Sequence, residues 1–275
     1  MTFQPIPDDV PAEYRNVILR VEAGSTLHGI DLPGGDDDRD ETAVCIEPRG
    51  WVTGISRPPG RDGAESLMYR TAAEGERSGP GDLDLTVHGL RKFARLAAAG
   101  NPSILQTFFV PAERRETGPL GQLLLDARSA FVSRAAGWRY AGYLRQQRGR
   151  YERPERAGRS RGVREGRGPK YAAHMIRLGF QGVELLEYGQ VTLPMPEHQR
   201  EYVLEVRDGA VGRDEILHAA RSMETRLEEL ASAPCALPRE PDHAAISELL
   251  HDLHLAAWRE EDDAAKVRRL TDQHM

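Results

Sequence analysis

The sequence predicts an α+β fold: a small mixed β-sheet in the first third of the chain, followed by a mostly helical C-terminal region. Three observations predict it. Short apolar or alternating segments of strand length fall before residue 90, at 17–21, 43–47 and 83–87. Stretches rich in glycine, proline and aspartate separate them, notably 32–40 and 57–81. From Leu90 onward, apolar residues recur at helical spacing almost to the end of the chain.

In chain order, residues 11–16 read as a short helix and 17–21 as a strand running into a turn at Gly24-Ser25. Residues 32–40 hold a proline, two adjacent glycines and four aspartates, which suits a loop. A strand over 43–47 follows, with Val44 and Ile46 on one face, and then a loop over 57–81. Leu83, Leu85 and Val87 alternate with Asp82, Asp84, Thr86 and His88, which predicts a strand with one wet face. Leu90, Phe93, Ala94 and Ala97 line one side of a helix that Gly100-Asn101-Pro102 stops. One long helix is expected over 120–147, a flexible basic loop over 149–169, and further helices over 170–188, 199–207, 213–232 and 241–263. No internal repeat is visible. The expected division is a sheet-bearing core over 1–110 and a helical region over 111–275.

Composition narrows the function classes. The chain has 275 residues, 39% hydrophobic and 29% charged, enough for a sizeable core. Apolar runs are of the size of Leu123 to Leu125, far below the roughly 20 residues of a membrane span, and Asp8 and Asp9 stand where a signal peptide carries basic residues. Cys45 and Cys235 form neither a disulfide framework nor a zinc spacing. No membrane association and a reducing cytoplasmic location are therefore expected. The net charge of −6 conceals eleven basic residues against three acids between 139 and 170. With Tyr140, Tyr143 and Tyr151 interleaved, that segment is a candidate contact for RNA or DNA, although only three of the 37 basic residues are lysines, as a codon bias would produce.

The chemistry-bearing residues start with Gly24-Ser25, followed by Asp36, Asp37, Asp38 and Asp40, and then by Asp82 and Asp84. In an extended chain, residues two apart face the same way, so Asp38 and Asp40 would converge, and a neighbouring strand would add Asp84. Three carboxylates at one point repel unless cations sit between them, and hard oxygen donors suit Mg²⁺ or Mn²⁺. A calcium loop competes with this reading. Asp36, Asp38, Asp40, Thr42 and Glu47 fall at positions 1, 3, 5, 7 and 12 of an EF-hand, but Glu41 replaces the glycine of position 6 and no entering helix precedes. A purely solvated acidic loop is the bland alternative.

Together, Gly24-Ser25, the Asp-x-Asp ahead of a strand and a further Asp on a later strand resemble the DNA polymerase β-like nucleotidyltransferase superfamily. More narrowly, Gly24-Ser25-Thr26-Leu27-His28-Gly29, Asp37-Asp38-Arg39-Asp40, Leu90-Arg91-Lys92-Phe93, Gly100-Asn101-Pro102 and Lys170-Tyr171-Ala172-Ala173-His174 with Arg177 are similar to predicted nucleotidyltransferases associated with RNA ligases in RNA repair. The resemblance spans residues 24–207. Ala43 departs from it where a glycine is expected, and Asp36 and Asp37 leave the ligand register open.

The resemblance implies transfer of a nucleoside monophosphate from an NTP to a hydroxyl, with two metal ions neutralising the charge of in-line attack. Asp38, Asp40 and Asp84 would be the catalytic metal ligands, Asp84 doubling as base and Asp82 as its alternative. Gly24, Ser25, His28, Lys170, His174 and Arg177 would bind the nucleotide. Lys170, His174 and Arg177 fall at i, i+4 and i+7, one helix face, while Met175, Leu178 and Val183 point elsewhere and read as core. One of Arg91 and Lys92 would lie near phosphate. His251-x-x-His254 has no further ligand in range and reads as solvated helix, and neither a phosphate-binding P-loop nor a G-x-S-x-G elbow occurs. The acceptor stays open between an RNA end, a protein side chain and a small molecule. The rival class is a non-enzymatic nucleic-acid- or calcium-binding module; oligomeric state and the identity of the NTP are not legible.

Overall fold

The computed structural model describes residues 3–31, 39–56, 65–76, 78–153 and 168–272. Five strands form one mixed sheet: β1 (Val17–Glu22), β2 (Arg39–Cys45), β3 (Ser66–Arg70), β4 (Leu83–Gly89) and β5 (Arg115–Thr117), in the order β3-β4-β2-β1-β5. Only β2 and β4 run parallel; the other pairs are antiparallel. This is the expected α+β architecture, with a helical region following the sheet.

The alternation of β4 does what period two demands. Leu83, Leu85 and Val87 are buried with Ala43 and Cys45 of β2 beneath Val10 and Tyr14 of the N-terminal segment. The intervening Asp84, Thr86 and His88 take the opposite face. On that face Leu19, Val21 and Val44 join a larger core of helical residues. Arg20 of β1 is fully buried and pairs with the buried Glu41 of β2, so the sheet carries an ion pair inside it.

Two strands have no counterpart in the sequence reading. β3 lies inside the stretch expected to be loop, its three apolar residues Leu67, Met68 and Tyr69 showing no alternation. It is an edge strand that buries only one face, Leu67 and Tyr69 packing on the smaller core while Met68 stays 78% exposed. β5, Arg-Glu-Thr, closes the opposite edge with polar residues. β2 also begins four residues earlier than expected, which places Asp40 and Thr42 within a strand and rules out a calcium loop through them.

Eleven α-helices occur among the described residues: α1 (Gly24–His28), α2 (Arg49–Val52), α3 (Leu90–Ala98), α4 (Pro102–Leu105), α5 (Pro119–Asp126), α6 (Arg128–Phe131), α7 (Ala135–Glu152), α8 (Gly168–Tyr188), α9 (Glu197–Asp208), α10 (Arg213–Ser232) and α11 (His243–Asp272). The expected stripe on α3, Leu90, Phe93, Ala94 and Ala97, is buried throughout. Asn101 then caps α4, its side chain accepting from Ser103 N at 3.0 Å, with Pro102 in the first turn. The single helix expected over 120–147 is instead three. Its break near residue 133 is held by tertiary hydrogen bonds, Arg134 N to Pro238 O at 2.9 Å and Ala135 N to Arg239 O at 3.2 Å, which local periodicity cannot reveal. Helix α7 also runs to Glu152, four residues into the expected loop. The 11–16 helix is a single 3₁₀ turn, Ala12–Tyr14.

Helix α11 corrects another expectation. His254 is buried, not solvated: Nδ1 donates to Leu250 O at 2.6 Å and Nε2 meets Glu47 Oε2 at 2.8 Å, while Trp258 Nε1 donates to Glu47 O at 3.0 Å. The carboxylate following β2 therefore docks the C-terminal helix. His251 stays exposed. No described helix is long and apolar enough to cross a membrane.

Candidate active site

The parallel pairing of β2 with β4 sets Asp40 directly opposite Asp84 and Thr42 opposite Thr86. Adjacent strands lie about 4.8 Å apart, so two carboxylates share one face of the sheet with a hydroxyl pair one step behind them. Gly24 opens α1 at φ +70°, and a Cβ there would stand 2.0 Å from Asp40 Oδ2. Glycine is required twice over, for the left-handed backbone and for the carboxylate that lies against its Cα. Asp84 Oδ1 accepts from Arg70 Nε at 3.0 Å and from Ser78 Oγ at 2.7 Å, and Arg70 Nη2 also reaches Ser78 Oγ at 2.5 Å. Asp84 Oδ2 makes no hydrogen bond among the described residues. One oxygen is thus fastened by two neighbours.

These residues line a cleft of about 480 Å³ whose opposite wall is α8, bringing Lys170, His174 and Arg177 to face Gly24, Ser25, His28, Asp40 and Asp84. The i, i+4, i+7 face expected of α8 is the face that meets the cleft, while Met175 and Leu178 are core and Val183 packs against it. Arg177 Nη1 donates to His28 Nε2 at 2.6 Å and to Gln181 Oε1 at 3.0 Å, and Nη2 approaches His174 Nε2 at 3.5 Å. Gln181 Nε2 lies 3.1 Å from His28 Nδ1. Burial, and then the neighbouring guanidinium, hold both histidines neutral: His28 is well below the ordinary range and His174 is lowered to about 3. Burial also lowers Arg177, to about 10, which leaves it charged at neutral pH. The cleft therefore holds fixed positive charge at Arg177 and Lys170 opposite negative charge at Asp40 and Asp84.

Asp82, the alternative to Asp84, lies outside the cleft lining: Thr71 Oγ1 and Gly79 N bind its carboxylate, and the Gly79 amide leads in holding its pKa low. Neither Arg91 nor Lys92 lines the cleft. Asp36, Asp37 and Asp38 lie outside the described residues, as do 154–167 of the basic segment. Of its described arginines, Arg145 pairs with Glu224 and Glu228, and Arg148 with Glu152 and Glu224.

Among the described residues no three His, Cys, Asp or Glu side chains gather as a metal-binding group. Asp40 and Asp84 nevertheless supply two hard oxygen donors at an open cleft, one oriented by its neighbours, which fits Mg²⁺ or Mn²⁺ with water and phosphate completing the shell.

The structure adds lining residues that the sequence reading passed over: Thr42, Thr86, Ser103, Gln106 and Arg207. Thr42 and Thr86 were signalled, being two positions beyond Asp40 and Asp84 on their strands. Arg207, whose Nη1 donates to Ile30 O at 2.6 Å, and Gln106 come from distant segments that only tertiary packing brings in.

A family model described as RlaP, RNA repair pathway DNA polymerase beta family, matches residues 4–272. No curated protein matches the chain.

Proposed function

The chain belongs to the RNA repair pathway DNA polymerase beta family, and from that premise we propose that it transfers a nucleoside monophosphate from an NTP to a hydroxyl, the acceptor being an RNA end. The observation that carries this reading is the facing of Asp40 and Asp84, register partners on β2 and β4, with Ser25 of α1 and Lys170, His174 and Arg177 of α8 across one cleft. A binding module has no use for opposed carboxylates and guanidinium at this spacing, whereas nucleotidyl transfer needs both.

Asp40 and Asp84, with Asp38, would hold Mg²⁺ or Mn²⁺, which when bound would neutralise phosphate charge and acidify the acceptor hydroxyl. The remaining roles belong to this chain's own groups. Lys170 and Arg177 hold the triphosphate, Arg177 oriented by the neutral imidazole of His28 and by Gln181. Ser25 Oγ and the amides at Gly24-Ser25 approach the β and γ phosphates from the other wall. His174, neutral at physiological pH, faces the nucleotide as a hydrogen-bonding group and not as a cation. Asp84 Oδ2 takes the acceptor proton as the acceptor oxygen bonds to the α-phosphorus and the bond to the pyrophosphate oxygen breaks.

The test is incubation with each α-labelled NTP, Mg²⁺ and an RNA carrying free terminal hydroxyls, with mass spectrometry of the RNA. A mass gain of one nucleoside monophosphate that Asp84→Asn abolishes is expected. Label on a protein side chain or a small molecule instead would move the acceptor, and no label on any acceptor would remove the enzymatic reading.

A further inference from the structure

We propose that the exposed stripe Arg139, Tyr143, Gln146 and Arg150 on α7 is the landing surface for a single-stranded nucleic-acid acceptor, which rests on the nucleotidyltransferase reading and assigns its acceptor a place. The four residues stand at i, i+4, i+7 and i+11, within an arc of about 60° on one helix, and all are exposed. They extend over about 16 Å.

The stripe differs from the neighbouring arginines Arg145 and Arg148 of the same helix in having no acids in reach among the described residues. Arg145 and Arg148, which point toward α10, are neutralised by Glu224, Glu228 and Glu152. Arg139 and Arg150 have no carboxylate in ion-pair range among the described residues: Arg139 Nε donates to Ala99 O at 3.0 Å, and Arg150 lies 5.9 Å over the Tyr171 ring. These two guanidinium groups flank an exposed tyrosine. They match a ligand that alternates phosphates with unstacked bases.

The stripe is linked to two cleft-lining elements through their neighbours. Tyr143 OH accepts from Asn101 Nδ2 at 3.1 Å, and Asn101 caps the helix whose Ser103 lines the cleft. Arg150 packs on Tyr171, the neighbour of the lining residue Lys170, and its charge helps to hold His174 neutral. A strand lying on α7 would therefore lie beside the elements that carry Ser103 and Lys170. A duplex would not serve, because its stacked bases cannot meet the tyrosine ring.

The test is fluorescence anisotropy with a labelled single-stranded RNA of about ten nucleotides at several salt concentrations. Arg139→Gln with Arg150→Gln is expected to flatten the log-log salt slope by about 1.4, from roughly 0.7 per phosphate contact on a single strand. Restoring charge with lysine at both positions should restore the slope. Tyr143→Ala should weaken binding about tenfold, as loss of one base stack does. Arg145→Gln, the same change of charge at a neutralised position, should leave the slope as in the wild type, and NTP binding should be unchanged in Arg139→Gln and in Arg145→Gln. The proposal is overturned if Arg145→Gln costs as much as Arg139→Gln, if a blunt duplex binds as tightly as the strand, or if polyglutamate of equal charge displaces the RNA as well as unlabelled RNA does. Asp40→Asn keeps the two readings apart: it should abolish transfer and leave RNA binding intact, so loss of one function without the other identifies which reading has failed.

Discussion

Gly24→Ala perturbs the site at one atom. The added Cβ would lie 2.0 Å from Asp40 Oδ2 and 2.8 Å from its Cβ and Cγ. An ordinary contact needs about 3.4 Å, so the carboxylate must retreat by about 1.4 Å, and misplacement of a reacting group by about 1 Å costs on the order of 10²-fold in rate. The backbone adds a second effect, because φ is +70° and an L side chain there costs roughly 1–2 kcal/mol, or about 2–8 °C in melting temperature for a chain of this size. Gly29→Ala separates the two. It imposes the same strain at φ +69°, but its Cβ meets Arg200 Cδ at 3.1 Å and Pro194 Cβ at 3.3 Å, away from the carboxylates. Nucleotidyl transfer with α-labelled NTP, together with thermal melts, should show similar losses of stability in both variants and a hundredfold loss of activity in Gly24→Ala alone. Equal activity in the two variants would refute the placement of Asp40 in the reaction.

The depressed histidines make stability depend on pH. The unfolded chain takes up protons near pH 6.5, while folded His174 and His88 stay neutral down to about 3 and about 4, so stability is complete above 6.5 and falls as pH drops. At pH 5 each contributes a loss of about 2 kcal/mol; urea melts at pH 7 and 5 should show the pH effect smaller by that amount in His174→Gln, and an unchanged pH effect would contradict it. Glu41→Gln, which leaves the buried Arg20 without its counter-charge, should cost about 3–5 kcal/mol in the same melts, and a loss under about 1 kcal/mol would mean the pair is replaceable. Ser78→Ala removes a neutral donor from Asp84 Oδ1 and should lower Mn²⁺ affinity at least tenfold by titration, whereas wild-type affinity would show that this hydrogen bond does not orient the ligand.

What could be read without coordinates was what period and spacing encode. The alternation of Leu83, Leu85 and Val87 placed Asp84 on the opposite strand face, and the i, i+4, i+7 spacing placed Lys170, His174 and Arg177 on the helix face that meets the cleft. The resemblance joined those two pieces to Gly24-Ser25; no local pattern could have done so, because 146 positions separate Gly24 from Lys170. The misses share one physical origin, interactions between distant segments. The edge strand β3 exists through pairing with β4, α7 starts where residues 238 and 239 take its backbone donors, and His254 is buried because Glu47 awaits it. Arginine counting is blind to the same interactions: Arg145 and Arg139 look alike in sequence, yet of the two only Arg145 has glutamates in reach among the described residues.

The measurement closest to the central claim is nucleotidyl transfer to RNA by the wild type, Asp40→Asn and Asp84→Asn, with α-labelled NTP and Mg²⁺, beside circular dichroism and melts of the same preparations. The account predicts labelled RNA with the wild type, loss of at least 10³-fold in each variant as expected for removal of a metal-binding carboxylate, and a retained fold. Wild-type transfer in either variant, with the fold intact, would contradict it.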